Sequence, residues 1–301
     1  MKRIALVSAP TNLGLRPPQP TSIPGCAKAP EALREAGLFR RLGELGAIDA
    51  GAVLPGRYVD DATPGTLRNL GAIIEHTRRL AARIEELRVS GHFPLIIGGD
   101  CSLLVGAGLA LRRVARHGLV HMDGHTDFRH PGNSAMCASL AGEDLAAVTG
   151  LHWPVIADID GLGPYFQPAD TIHVGCRNED EHLAEVRGLL AKAIPASAIV
   201  DGEALAVAEA IRAELDNSHL AGYWLHLDVD ILDPNIMPAV DSADPGGLDA
   251  DQVTHLLAAL APGAVGADVT IFDPDLDPDG VYARRIVDIL VEGLNGVMGE
   301  R

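Results

Sequence analysis

The chain of 301 residues sets 41 acidic side chains against 24 basic ones, for a net charge of −17, and is 47% hydrophobic. That balance excludes polyanionic partners, since neutralising phosphates needs basic surface; nucleic acid and anionic membranes are not expected to bind. The apolar content can bury a sizeable core, and an α/β chain of this length can remain one domain, so residues 1–301 are expected to form one.

In chain order, the basic start is followed by an apolar run too short for a secretory signal, which predicts a first strand over 3–9 in a cytoplasmic protein. No stretch reaches the roughly 20 apolar residues of a membrane helix. The segment from Pro17 to Pro24 reads as an early loop. Leu67, Leu70, Ile74, Leu80, Ile84 and Leu87 recur at helical spacing and predict one apolar stripe against a sheet. Further strands are expected at 48–53, 94–98, 119–122, 171–175, 197–200, 223–228 and 265–272. Pro94-Leu95-Ile96-Ile97 is apolar throughout, as in a parallel sheet covered on both faces. The expected fold class is α/β, a three-layer α/β/α sandwich with a central, mostly parallel sheet of about eight strands. Cys26, Cys101, Cys137 and Cys176 form no Cys-x-x-Cys pair and are expected to be reduced thiols.

Three strand ends carry acidic loops. Gly98-Gly99-Asp100-Cys101-Ser102 follows one strand, Asp123-Gly124-His125-Thr126-Asp127 the next, and Asp228-Val229-Asp230-Ile231-Leu232-Asp233-Pro234 a third. In an open parallel sheet such loops converge on one crevice. Asp123, His125, Asp127, Asp228 and Asp230 are hard oxygen donors with one imidazole, alternating so that they share a side of an extended backbone. Carboxylates gathered at low dielectric need protons or cations, and this set suits Mn²⁺ or a similar divalent ion. With four carboxylates, two ions sharing bridging Asp ligands is the economical arrangement.

The three motifs, in this order, resemble those of the arginase–agmatinase–formiminoglutamase (ureohydrolase) superfamily, with Cys101 where the family has its first metal-ligand His. The likeness extends to Ala29–Leu38, to Pro245-Gly246-Gly247-Leu248 and to Phe272-Asp273-Pro274. It implies one ion among Cys101, Asp123, Asp127 and Asp228 and another among Asp123, His125, Asp228 and Asp230, with Asp100 and Asp233 supporting the loops. It also implies hydrolysis of a guanidino or formimino C–N bond by a water shared between the ions, with Asp127 accepting the proton. Similar proteins are commonly trimers or hexamers, and a homo-oligomer acting on a small-molecule substrate is the expectation.

Departures from arginase bear on the substrate. The shuttle His of arginases is absent from Leu140-Ala141-Gly142-Glu143-Asp144, and His130 is the expected stand-in. Ile271 occupies the position of a guanidinium-binding Glu, so plain arginine hydrolysis is not expected. Asp180, Ser242 and Asn133 fall where the family contacts substrate. Cys101 stays open between an inert buried thiol and a thiolate ligand that would admit Zn²⁺ or Fe²⁺ at its position. A non-catalytic protein of the same fold, acting as a metal or small-molecule binder or as an oligomeric partner, is the alternative to an enzyme.

Overall fold

Residues such as Ile4–Val7 and Leu95–Ile97 are buried without alternation. They sit in the middle of an eight-stranded sheet that is apolar on both faces. The computed structural model describes residues 2–199, 203–216 and 219–298. The strands are β1 (Arg3–Ala9), β2 (Ile48–Ala52), β3 (His92–Gly98), β4 (Gly118–Met122), β5 (Thr171–Val174), β6 (Lys192–Ile194), β7 (Tyr223–Asp228) and β8 (Ala264–Thr270). Their order is β2-β1-β3-β8-β7-β4-β5-β6, and every pairing is parallel.

The helices are α1 (Ala29–Glu35), α2 (Leu38–Glu44), α3 (Leu70–Val89), α4 (Leu103–Arg112), α5 (Asp144–Val148), α6 (Pro154–Ala157), α7 (Leu183–Leu189), α8 (Ala204–Leu215), α9 (Ala250–Leu260), α10 (Val281–Gly293) and α11 (Asn295–Met298). Apolar residues of α1, α2 and α8 to α11 cover one face of the sheet, and those of α3 to α7 cover the other. The result is the three-layer α/β/α sandwich expected. In α3 the buried stripe is Ile73, Leu80, Ala81, Ile84 and Leu87, while Leu67 is buried just ahead of the helix.

The sixth strand is a correction. It lies at Lys192–Ile194, not at 197–200; residues 196–198 form a 3-10 turn, and position 200 lies outside the described residues. Pro195 has no N–H to offer a neighbouring strand and so ends the ladder. The place beside β5 is taken by the residues before it, with the Gly175 N–H donating to the Ile194 carbonyl at 2.8 Å. Likewise β8 stops at Thr270, because Ile271 turns to φ 72° and donates its N–H to the Gly99 carbonyl.

Candidate metal centre

Because every strand points the same way, the adjacent β3, β8, β7 and β4 deliver their carboxyl-end loops to one place. The turn after β3 depends on Gly99: a Cβ there would lie 1.7 Å from the Thr11 carbonyl oxygen. Asp100, wholly buried, accepts from the Thr11 hydroxyl at 3.0 Å and from the Ser102 N–H at 2.9 Å. Between them Cys101 donates its S–H to Asp228 Oδ2 at 2.9 Å and stands 3.2 Å from the Thr270 hydroxyl. Burial and the charge of Asp228 push its thiol well up.

The loop after β4 is laced to the one after β7. Asp123 Oδ1 accepts the His125 N–H at 2.7 Å, and Asp230 Oδ1 accepts the Gly124 N–H at 3.0 Å. His125 Nδ1 is 2.8 Å from Asp230 Oδ2 and 3.9 Å from Asp123 Oδ1, while its Nε2 is 3.1 Å from Asp244. Asp228 Oδ1 accepts the Asp230 N–H at 2.8 Å. Asp233 clasps Gly246, accepting its N–H at 2.9 Å.

Burial and mutual repulsion hold the carboxyls of Asp123 and Asp228 well above the usual range, and Asp127 is raised by desolvation and by Asp144. Burial would also raise Asp230, but the adjacent His125 brings it below its ordinary value. Conversely, burial opposes protonation of His125, yet Asp230 lifts it to about 10. Such a set repels itself unless protons or cations neutralise it.

Ligand atoms of Cys101, Asp123, His226 and Asp228 lie within 4.8 Å of one another, and so do those of Asp123, His125 and Asp230. Asp123 belongs to both groups. Its Oδ2 is buried with no hydrogen-bond partner, as expected of an atom awaiting a cation. The donors, carboxylates with an imidazole on one side and a thiol on the other, fit divalent metal. Asp127, at φ 44°, belongs to neither group but lines the cleft above them.

That cleft has a volume of about 920 Å³, and its walls include Asp127, Asp180, Ser242, Asp244 and Ile271. Asp180 spends its carboxylate on the Thr126 N–H and hydroxyl, at 2.9 and 2.6 Å. His130 and Asn133 stand apart from the cleft walls. His130 accepts the Gly132 N–H on Nδ1 and contacts Glu185 through Nε2, and Asn133 ties the Phe128 carbonyl to Glu185. Both brace the loop that follows Asp127.

The structure also brings in residues that the motifs did not name. His226 supplies an imidazole beside Cys101, and His182 lines the cleft. His226 precedes Asp228 by two residues on β7, as His121 precedes Asp123 on β4, so period two places each pair on one face. A histidine inside an apolar strand was the available signal.

The arginase family model matches residues 2–294. The chain belongs to the arginase family. It is 30% identical to an arginase of Agrobacterium fabrum over 96% of this chain and 90% of that one. The solved arginase of Bacillus caldovelox shares 27% identity and superposes with a TM-score of 0.87, covering 100% of this chain and 99% of its own. Proclavaminate amidino hydrolase of Streptomyces clavuligerus, at 23% identity, has the same fold with a TM-score of 0.70, over 99% of this chain and 92% of its own.

Proposed function

We propose that the protein hydrolyses a C–N bond in a small guanidino or formimino compound other than arginine, using two divalent ions, with Mn²⁺ the first choice. The observation that carries this reading is Asp123, wholly buried and shared by the Cys101–Asp228 group and the His125–Asp230 group. One ion would be held by Cys101, Asp123, Asp127 and Asp228 and the other by Asp123, His125, Asp228 and Asp230. When bound, such ions supply Lewis acidity and make water nucleophilic near neutral pH. Asp127, in the cleft wall, accepts the proton of the attacking water. His182, an imidazole in the cleft wall, returns a proton to the leaving nitrogen, in place of the His130 expected from the motifs. Asp241, Ser242 and Asp244 form the wall available to a substrate cation.

Ile271, buried at the position of the guanidinium-binding Glu, sets the specificity. A buried cation facing it finds no counter-charge, and an unpaired buried charge is costly. A screen of guanidino, hydroxyguanidino and formimino compounds for urea, ammonia or formamide release tests this; turnover of arginine at roughly 10 s⁻¹ would overturn it. A second reading, a non-catalytic binder, is favoured by Ala141 in the cleft wall, in the stretch where arginases carry the shuttle His. Stoichiometric metal with no release from any compound of the screen would select it. Assembly into a trimer or hexamer belongs to the same proposal and rests on the family likeness.

A further inference from the structure

Beneath the cleft, the sheet carries a row of ionisable side chains where apolar ones belong. Parallel register places His173, His121, His226 and Asp268 side by side on β5, β4, β7 and β8. All are buried, and Asp144 of α5 closes over them with no exposure. The His121 and His226 rings stack with centroids 4.7 Å apart.

The hydrogen bonds of this row face outward from a common point. His226 Nδ1 donates to Asp268 Oδ2, and Asp268 Oδ1 accepts the Trp224 Nε1–H. That leaves His226 Nε2 with a bare lone pair. His121 Nδ1 is 2.9 Å from His173 Nδ1, so with His121 as donor its Nε2 is bare as well. His121 Nε2, His226 Nε2, both Asp144 oxygens and Asp123 Oδ2 are all buried without a partner. His121 Nε2 lies 3.6 Å from Asp144 Oδ1 and 3.7 Å from Asp123 Oδ2, and His226 Nε2 lies 3.8 Å from Asp144 Oδ2. These separations are too long for hydrogen bonds. Ligand atoms 2.0–2.2 Å from a tetrahedral ion stand roughly 3.3–3.6 Å apart, so a slight contraction closes the group on a metal.

We propose that His121, His226 and Asp144, with Asp123 Oδ2, form a further metal site, inward of the carboxylate cage, for a borderline divalent ion of the Zn²⁺ or Fe²⁺ type. Two imidazoles make it softer than an all-oxygen cage. Two carboxylates balance the ion's charge, which a dry interior requires. Asp268 on His226 Nδ1 is the carboxylate–histidine partner that fixes tautomer and ring in metal sites. The neighbouring Cys137, Glu143 and His152 also lie close together, but there Glu143 accepts the His152 Nε2–H and the Ala138 and Ser139 N–H groups, which satisfies it without metal.

Crystals of the whole protein expressed in zinc-supplemented medium, measured on both sides of the zinc edge, test the site directly. The expected result is an anomalous peak about 2.0–2.1 Å from both His121 Nε2 and His226 Nε2. Zinc peaks in the cage alone overturn the inner site; a zinc peak at the inner position with no metal density of any kind in the cage supports it and instead sinks the two-ion cage. Elemental analysis adds a second measure: Asp144→Asn and His121→Gln should each lose one zinc per chain. Native-like circular dichroism with unchanged zinc content in both variants also overturns the proposal.

Discussion

At the scale of residues, the thiol at position 101 is a donor in a place built for acceptors. Its S–H meets Asp228 Oδ2, so metal at that corner must displace a proton from sulfur before a thiolate can ligate. Cys101→Ser keeps a donor for Asp228 but removes the soft atom, and should weaken Zn²⁺ binding more than Mn²⁺ binding in paired calorimetric titrations. Identical isotherms for wild type and variant would take the sulfur out of coordination. Asp123→Ala should lose every ion that Asp123 shares, whereas Asp230→Ala should weaken chiefly the one beside His125; equal losses by elemental analysis would refute that division. His125 adds a pH dependence. Its folded value, about 10, lies above the ordinary 6.5, so its pairing with Asp230 stabilises the metal-free protein fully below pH 6.5. That contribution is lost as pH rises through about 10. Metal needs the unprotonated ring, so affinity at this position should climb with pH across the same window, with protons released. Calorimetry in buffers of different ionisation enthalpy measures that release.

At the scale of elements, the strand-end turns hold the site as firmly as its ligands do. Gly99→Ala would drive a methyl into the Thr11 carbonyl, and should abolish metal binding although glycine ligates nothing. Helix α9 offers a control remote from the cleft: Asp249 and Gln252 form a reciprocal capping box, and Asp249→Ala should cost about 1 kcal/mol in denaturant melts while leaving metal content intact. How much was legible follows the same division. The loops at Gly99–Cys101, Asp123–Asp127 and Asp228–Asp230 could be read because acidic residues at spacing two, after apolar runs, have few other uses. The strand at 192–194 was misplaced because Lys192-Ala193-Ile194 carries little β pattern, and only pairing with β5 decides it. His130 and Asn133 lie outside the cleft walls, and spacing along a loop does not say which way a side chain turns. His121, His173 and Asp268 sit in strands whose neighbours are apolar, so their meeting depends on strand order, which no local pattern encodes.

At the scale of the whole molecule, the buried carboxyls of Asp123, Asp144, Asp228 and Asp230 and the buried imidazoles of His121, His173 and His226 make the metal-free fold a strained electrostatic compromise. Divalent metal should therefore raise the melting temperature, with a gain of about 2.7 kcal/mol per site at a hundredfold excess over Kd. Calorimetric scans with and without chelator check this, and coincident transitions would argue that no ion binds the native state. The row of histidines has a further consequence, in time instead of energy. His121, Asp144 and His226 have no exposure at all, and α5 lies across them, so an ion lodged there has no open path to solvent. It would enter while β4, β7 and α5 come together and leave only when they part. The folded chain would thus keep a record of the metal present at its birth, exchanging its outer ions through the cleft while the inner one lasts as long as the fold.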